Sequence, residues 1–292
     1  MTRPAGIPVQ LARVRTRDGV WLDGLVVEPP RRRSTALVWV HGLGSVFSSG
    51  QPLVAELAAR LPAAGIGYFK FNTRGHDFVA RGGRRLAGAA FERFTDCVLD
   101  LRAVIGFAAR RGYRRVVLAG HSTGANKSLY YTGTRRDRRV RGLALLGPVS
   151  DIAGEIKRVG GAATLRRRVA AAERLARRDP GALVPRQWGF WSARRYVSLY
   201  KPGQAEDVFR YHRPGARWTA LRAVRVPVAV VIGARDKYLD RSPPALIEAF
   251  RAEARRARSF TGIVLPGANH GFDGREPALA RWLVRWMQAL DA

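Results

Sequence analysis

Cysteine, methionine and lysine are scarce in this chain. One cysteine in 292 residues leaves no disulfide to staple the fold and fits a reducing compartment. No stretch approaches the ~18 uncharged apolar residues of a membrane-spanning helix. Residues 1–10 carry one arginine but no apolar core of a secretory leader. The low apolar content of a disordered chain is missing too, since hydrophobic residues make up 47% of the whole. A soluble cytoplasmic protein is therefore expected, as one large domain with an insertion or as two modest ones. Metal-ligand spacings such as H-E-x-x-H or C-x-x-C do not occur, nor do glycine-rich phosphate loops. No cofactor and no metal are expected.

Acidic residues are outnumbered. Lys and Arg total 52 against 22 Asp and Glu, for a net charge of +30, and only five of the cations are lysines. Such a balance raises nucleic acid or an anionic membrane as partners. The distribution argues against both. Residues 151–220 hold 15 cations and 6 anions, little denser than the rest. Short runs such as Arg31–Arg33, Arg135–Arg136, Arg166–Arg168 and Arg255–Arg256 are spread throughout. A module built for nucleic acid concentrates charge and interleaves exposed aromatics. The joint excess of Ala, Arg and Gly fits a coding bias instead.

What is present is an alternation. Val9–Arg17 and Val20–Glu28 flank Asp18-Gly19, a strong hairpin signal. Ala36–Val40, Ile66–Asn72, Arg115–Gly120 and Gly142–Gly147 read as short buried strands. Between them, Gln51–Leu61, Phe91–Arg111 and Gly124–Thr132 read as helices, with apolar spacings of three or four along Phe91–Arg111. After Pro148 the pattern breaks. Residues 151–220 offer helical pieces at Ala162–Arg178 and Trp191–Tyr200 but no core strand. Alternation resumes with strands at Pro227–Gly233 and Thr261–Pro266 and helices at Pro243–Arg258 and Pro277–Leu290. Continuous apolar strands alternating with helices imply a mostly parallel sheet covered on both faces. Residues 1–150 and 221–292 form this core, and 151–220 read as a cap inserted over one end. Trp188, Phe190, Trp191, Tyr196, Tyr200 and Tyr211 should pack within that cap or line a pocket beneath it.

Gly120-His121-Ser122-Thr123-Gly124 lies where a buried strand meets a helix. A nucleophile on so sharp a turn is strained, and the flanking glycines let strand and helix pack closely. A serine hydroxyl needs a base, and the base needs a third group to orient it. Of five histidines, His270 follows the last strand on a glycine-bracketed loop, and Asp236 follows the strand before it, with Asp240 as a rival carboxylate. All three candidates fall at C-terminal strand ends, where open α/β sheets bind ligands. His121 cannot easily turn onto its neighbour. His41, Arg74 and His76 read as braces of their loops, Lys127 as structural rather than a site cation, and Cys97 as core.

These motifs, with His41-Gly42-Leu43-Gly44 and Asn72-Thr73-Arg74-Gly75-His76, resemble the α/β-hydrolase superfamily over nearly the whole chain. More narrowly, Gly-His-Ser-Thr-Gly is similar to a bacterial and fungal group that includes siderophore-ester hydrolases. Thr123 stands where Leu, Met, Gln or Gly is commoner in the superfamily as a whole. The resemblance implies an α/β-hydrolase fold with an N-terminal antiparallel hairpin and a mainly helical cap. It also implies that Ser122 is the nucleophile, His270 the general base and Asp236 its orienter, with the Leu43 and Thr123 N–H groups as oxyanion hole. The reaction expected is hydrolysis of a small-molecule ester through an acyl-enzyme. C–C bond hydrolysis, cofactor-free haloperoxidase-type chemistry and a non-catalytic ligand receptor stay open. The oligomeric state has no signal in the sequence.

Overall fold

A computed structural model of the chain describes residues 6–31, 34–82 and 85–290. Arg32, Arg33 and residues 1–5, which enter the readings of the arginine run and of the N-terminal segment, lie outside the described residues. Gly19, at φ 90°, turns β1 (Gln10–Arg15) back onto β2 (Trp21–Val27) as the expected antiparallel hairpin. The apolar run after it is β3 (Thr35–Val40), buried at every position. α1 (Gln51–Ala63) returns the chain to β4 (Gly67–Phe71). A two-stranded ribbon, β5 (Ala80–Gly82) with β6 (Arg85–Ala87), comes next and has no periodic signal long enough to announce it. α2 (Cys97–Arg110) starts later than the expected Phe91, because residues 94–96 wind as a 3-10 turn. β7 (Arg115–His121), α3 (Thr123–Arg135) and β8 (Val140–Leu146) complete the first half.

Residues 151–223 carry four helices, α4 (Asp151–Arg158), α5 (Ala162–Arg178), α6 (Ala193–Tyr200) and the short α7 (Thr219–Ala223). The chain then re-enters the sheet with β9 (Val228–Gly233), α8 (Pro243–Glu253), β10 (Phe260–Leu265) and α9 (Glu276–Ala289). The eight-stranded sheet runs β1-β2-β4-β3-β7-β8-β9-β10 and is parallel from β4 to β10. This is the α/β-hydrolase architecture.

Strand alternation divides the core in two. Ala36, Val38, Val40, Val116 and Leu118 face one apolar cluster with α2, α3 and α8. Leu37, Trp39, Val117 and Ala119 face the other with α1 and α9. A third cluster joins Ile152, Leu165, Val169, Trp191, Tyr196 and Tyr200 to Ala90 and Phe91. Four of the six aromatics named above take their expected place in or against it, but Tyr211 does not. Its ring lies 5.4 Å from Trp218 and 6.3 Å from Phe250, inside the main core. The physical reason is that residues 208–218 already run back over α8, so their rings find its buried face. Among the described residues, no helix is long and apolar enough to cross a membrane.

Asp151, at the start of α4, has a buried Oδ2 with no hydrogen-bond partner among the described residues. Burial, with Glu206 nearby, pushes its pKa up from 3.8 to about 7. A raised folded pKa contributes stability that is full below the unfolded value and is lost as pH rises through the folded one. Asp151→Asn should therefore gain in melting temperature over the parent as pH goes from 4 to 8. Thermal melts in which that gain is flat across the range would contradict the assignment.

Candidate active site

Ser122 joins β7 to α3 with φ 55° and ψ −128°, a strained backbone for a residue with a Cβ. The two glycines of the motif explain how the turn closes. A Cβ at Gly120 would lie 2.2 Å from the Gly124 carbonyl oxygen, and one at Gly124 would lie 2.2 Å from that of Val40. Both distances are overlaps, so only hydrogen fits. The Ser122 N–H is anchored on the Leu146 carbonyl at 2.9 Å. Thr123 opens α3, where the first amides of a helix lack intrahelical acceptors. The 42–44 loop comes up beside it, since a Cβ at Gly42 would stand 3.1 Å from Ser122 Cβ. Among the described residues, neither the Thr123 nor the Leu43 N–H meets a carbonyl acceptor.

Asp236 and His270 are brought together. His270 Nδ1 and Asp236 Oδ2 are 2.8 Å apart, with the Asp236 side chain buried. The other Asp236 oxygen accepts from the Tyr238 N–H at 2.9 Å. Asp240 is spent on Arg241 at 2.6 Å, which removes it as a rival. Tyr238 packs edge-on to the His270 ring at 4.6 Å between centroids. Gly147, at φ 51°, passes beneath, where a Cβ would come 3.2 Å from the imidazole. Among the described residues, no hydrogen bond joins the Ser122 hydroxyl to His270.

His121 is the residue that sequence reasoning set aside too soon. It does turn away from Ser122, and its Nε2 meets the His270 carbonyl at 2.8 Å. A carbonyl only accepts, so Nε2 carries the proton. Burial, with His270 nearby, pushes the His121 pKa down to about 4, which keeps the ring neutral. Trp39 stacks beside it at 6.4 Å. The elbow strand thus holds the loop that carries the base candidate. Only a pairing across 149 positions reveals this, and no local motif signals it.

The bracing residues behave as expected. His41 Nε2 accepts from the Thr73 N–H at 2.9 Å, so its proton sits on Nδ1, 2.9 Å from the Gly42 carbonyl oxygen. Burial pushes its pKa down to about 3. Arg74 is tied to Asp18 at 2.8 Å and to Asp100 at 2.8 Å, and His76 to Asp77 at 2.8 Å. Lys127 points at Glu92 and Thr73, not at Ser122. Burial pushes the Cys97 thiol up, as suits a core residue. Among the described residues, no group of three His, Cys, Asp or Glu side chains converges as metal ligands.

Aromatic rings stand at the rim. Phe78 lies beside Gly44 of the 42–44 loop, with Trp191 at 4.8 Å and Phe190 at 6.4 Å from its centroid. Phe78, Phe190 and Tyr238 are nevertheless exposed. A separate cleft of about 770 Å³, lined by Trp21, Arg74, Arg93 and Arg194 among others, holds none of the five site candidates.

Comparison with known proteins bears on the family and the fold. A family model described as serine aminopeptidase, S33, of the Hydrolase_4 group matches residues 31–277. No curated protein sequence matches the chain. Among solved structures, the siderophore hydrolase EstB from Aspergillus fumigatus superposes with a TM-score of 0.68 at 20% identity, covering 98% of each chain. Est1E from Butyrivibrio proteoclasticus, solved with ferulic acid bound, gives 0.66 at 18% identity over 96% of this chain and 99% of its own. A monoacylglycerol lipase from Paleococcus ferrophilus gives 0.60 at 21% identity over 96% and 99%. At these identities the likeness carries the fold.

The elbow contacts make a differential prediction. Gly124→Ala should cost roughly 3 kcal/mol or more, because the methyl meets backbone that cannot move aside. Gly154→Ala, in α4 with open space around it, should instead gain about 0.5–1 kcal/mol from helix propensity. Equal melting temperatures for the two variants would refute the steric account.

Proposed function

The chain belongs to the serine aminopeptidase S33 family of α/β hydrolases, and on that premise we propose that it hydrolyses an ester through an acyl-enzyme on Ser122. The observation that carries the reading is the His270–Asp236 pair on the loops after β10 and β9, at the same sheet edge as the strained Ser122 turn.

In this mechanism Ser122 Oγ attacks the ester carbonyl carbon while His270 Nε2 takes its proton. His270 Nδ1–H stays on Asp236, which stabilises the imidazolium. The negative oxygen of the tetrahedral intermediate is held by the Thr123 and Leu43 N–H groups, and losing one such donor typically costs about 2.7–4 kcal/mol. His270 then protonates the departing alkoxide. Water, deprotonated by the same nitrogen, releases the acid and restores Ser122. A neutral His121, donating to the His270 carbonyl, keeps the base loop in place during both transfers.

Within the 151–220 insertion, residues 151–200 act as a cap over this edge, while residues 208–218 pack with the hydrolase core of 1–150 and 221–292. Exposed Phe78, beside Gly44, and exposed Phe190, 6.4 Å from Phe78 between ring centroids, favour a substrate with an apolar, ring-bearing group. Est1E binds ferulic acid, an aromatic acid, and the siderophore hydrolase and the lipase are named for hydrolytic activities; these names support the ester reading.

Two experiments test it. Ser122→Ala should lower p-nitrophenyl ester turnover by ~10³-fold or more with an unchanged melting curve; turnover within tenfold of the parent removes Ser122 from the mechanism. Intact-mass spectrometry after a fluorophosphonate should show one adduct on the parent and none on Ser122→Ala. For the substrate, Phe78→Ala should raise KM for an aryl-acyl ester more than for an acetyl ester. An equal effect on both would leave the ring wall without a role.

A further inference from the structure

Charge is buried between the core and the 151–200 helices. Lys127 and Arg195 are 1% and 0% exposed, and the carboxylates they meet, Glu92 and Glu206, are 4% and 2%. Ionised groups out of water are expensive unless each is paired and hydrogen-bonded. Here each is. Lys127 Nζ donates to Glu92 Oε2 at 2.8 Å and to Thr73 Oγ1 at 3.1 Å. Arg195 on α6 reaches Glu92 Oε1 at 3.0 Å, Glu206 Oε1 at 2.9 Å and the Ala89 carbonyl at 2.9 Å. Burial pushes the Glu92 carboxyl up, but Lys127 and Arg195 outweigh it and hold it ionised. Gly75 is what lets Glu92 in, since a Cβ there would sit 1.7 Å from Glu92 Oε2.

Resting on the hydrolase reading above, we propose that Thr73 and Lys127 are positioning residues that aim the Leu43 N–H at the oxyanion. We further propose that Glu92 and Arg195 make this aim depend on the seating of residues 151–200. The argument follows the protons. A lysine ammonium only donates, so it fills a lone pair of Thr73 Oγ1 and turns the threonine O–H onward. His41 Nε2 is 3.3 Å away and also takes the Thr73 N–H. With Nε2 doubly claimed, the imidazole proton is confined to Nδ1 and donates to the Gly42 carbonyl. Gly42 C=O and Leu43 N–H belong to one trans peptide, in which the two groups point in opposite directions. Holding the carbonyl on His41 therefore fixes where the Leu43 N–H points. Arg195 supplies the far end of the same ladder, and it comes from a helix outside the sheet core.

The test compares near-isosteric variants that differ in one hydroxyl. Thr73→Val should lower kcat for a p-nitrophenyl ester on the order of tenfold, less than the ~10²–10³ typical of deleting a donor outright, with KM nearly unchanged. The fluorophosphonate labelling rate should fall by a similar factor. Thr73→Ser, which keeps the hydroxyl, should restore both. Arg195→Met should lower kcat in the parent but have no further effect on kcat in the Thr73→Val background. A purely structural role would move melting temperatures and leave labelling rates of the folded protein alone, and that outcome overturns the proposal. So does a Thr73→Val enzyme with parental kcat, provided the parent labels at Ser122. A parent that neither labels nor turns over ester instead brings down the hydrolase reading, and this proposal with it.

Discussion

Helix α3 starts so close to β3 that a methyl group at position 124 would run into the Val40 carbonyl, and the geometry of the site descends from that approach. Because α3 cannot stand further off, the chain must cross from β7 in one residue. That residue takes a backbone conformation that few side chains adopt willingly. The same closeness aligns the first amides of α3 with the 42–44 loop. Strain at Ser122, unsatisfied N–H groups at Thr123 and the proximity of Leu43 are thus three faces of one steric fact.

The second organising feature is the mixed way in which residues 151–200 attach. Apolar contact with Ala90 and Phe91 accounts for part of it, but ion pairs run through the middle of the joint. Hydrophobic contact is tolerant of small slips; a buried guanidinium shared by two carboxylates is not. An attachment of this kind has one favoured register. Arginine suits it better than lysine, because its planar fork serves both carboxylates and a carbonyl at once. Many of the other arginines are engaged with single partners, as with Arg222 on Glu253 or Arg139 on Asp137. Such pairs use up acidic residues within the fold, and the net charge of +30 comes from the cations left over.

Local chemistry was legible in the sequence. Asp18-Gly19, the elbow glycines, the strand alternation and the two late loops bearing Asp236 and His270 each carry their signal within a few residues. Helix α5 even ends where its periodicity does, at Arg178. What could not be read was pairing at a distance. Nothing in the neighbourhood of Glu92 says that it meets Lys127 and Arg195, and nothing near His121 says that it meets the His270 carbonyl. Tyr211 was misplaced for the same reason. Composition assigned its ring to the insertion, while Trp218 and Phe250 draw it into the core. Asp236 and Asp240 could be separated only once Arg241 was seen to occupy the latter. Whether two groups touch is a property of topology, which residue order constrains only loosely.

The sheet order has a consequence for the timing of assembly. Ser122 and the Thr123 and Leu43 amides follow β7 and β3, which precede the 151–200 helices in the chain, whereas Asp236 and His270 follow β9 and β10 at one flank of the sheet. During synthesis on the ribosome Ser122 is therefore made well before Asp236 and His270. Asp236 and His270 can meet only once β9 and β10 have both been made, so the pair is among the last features of the sheet to be completed.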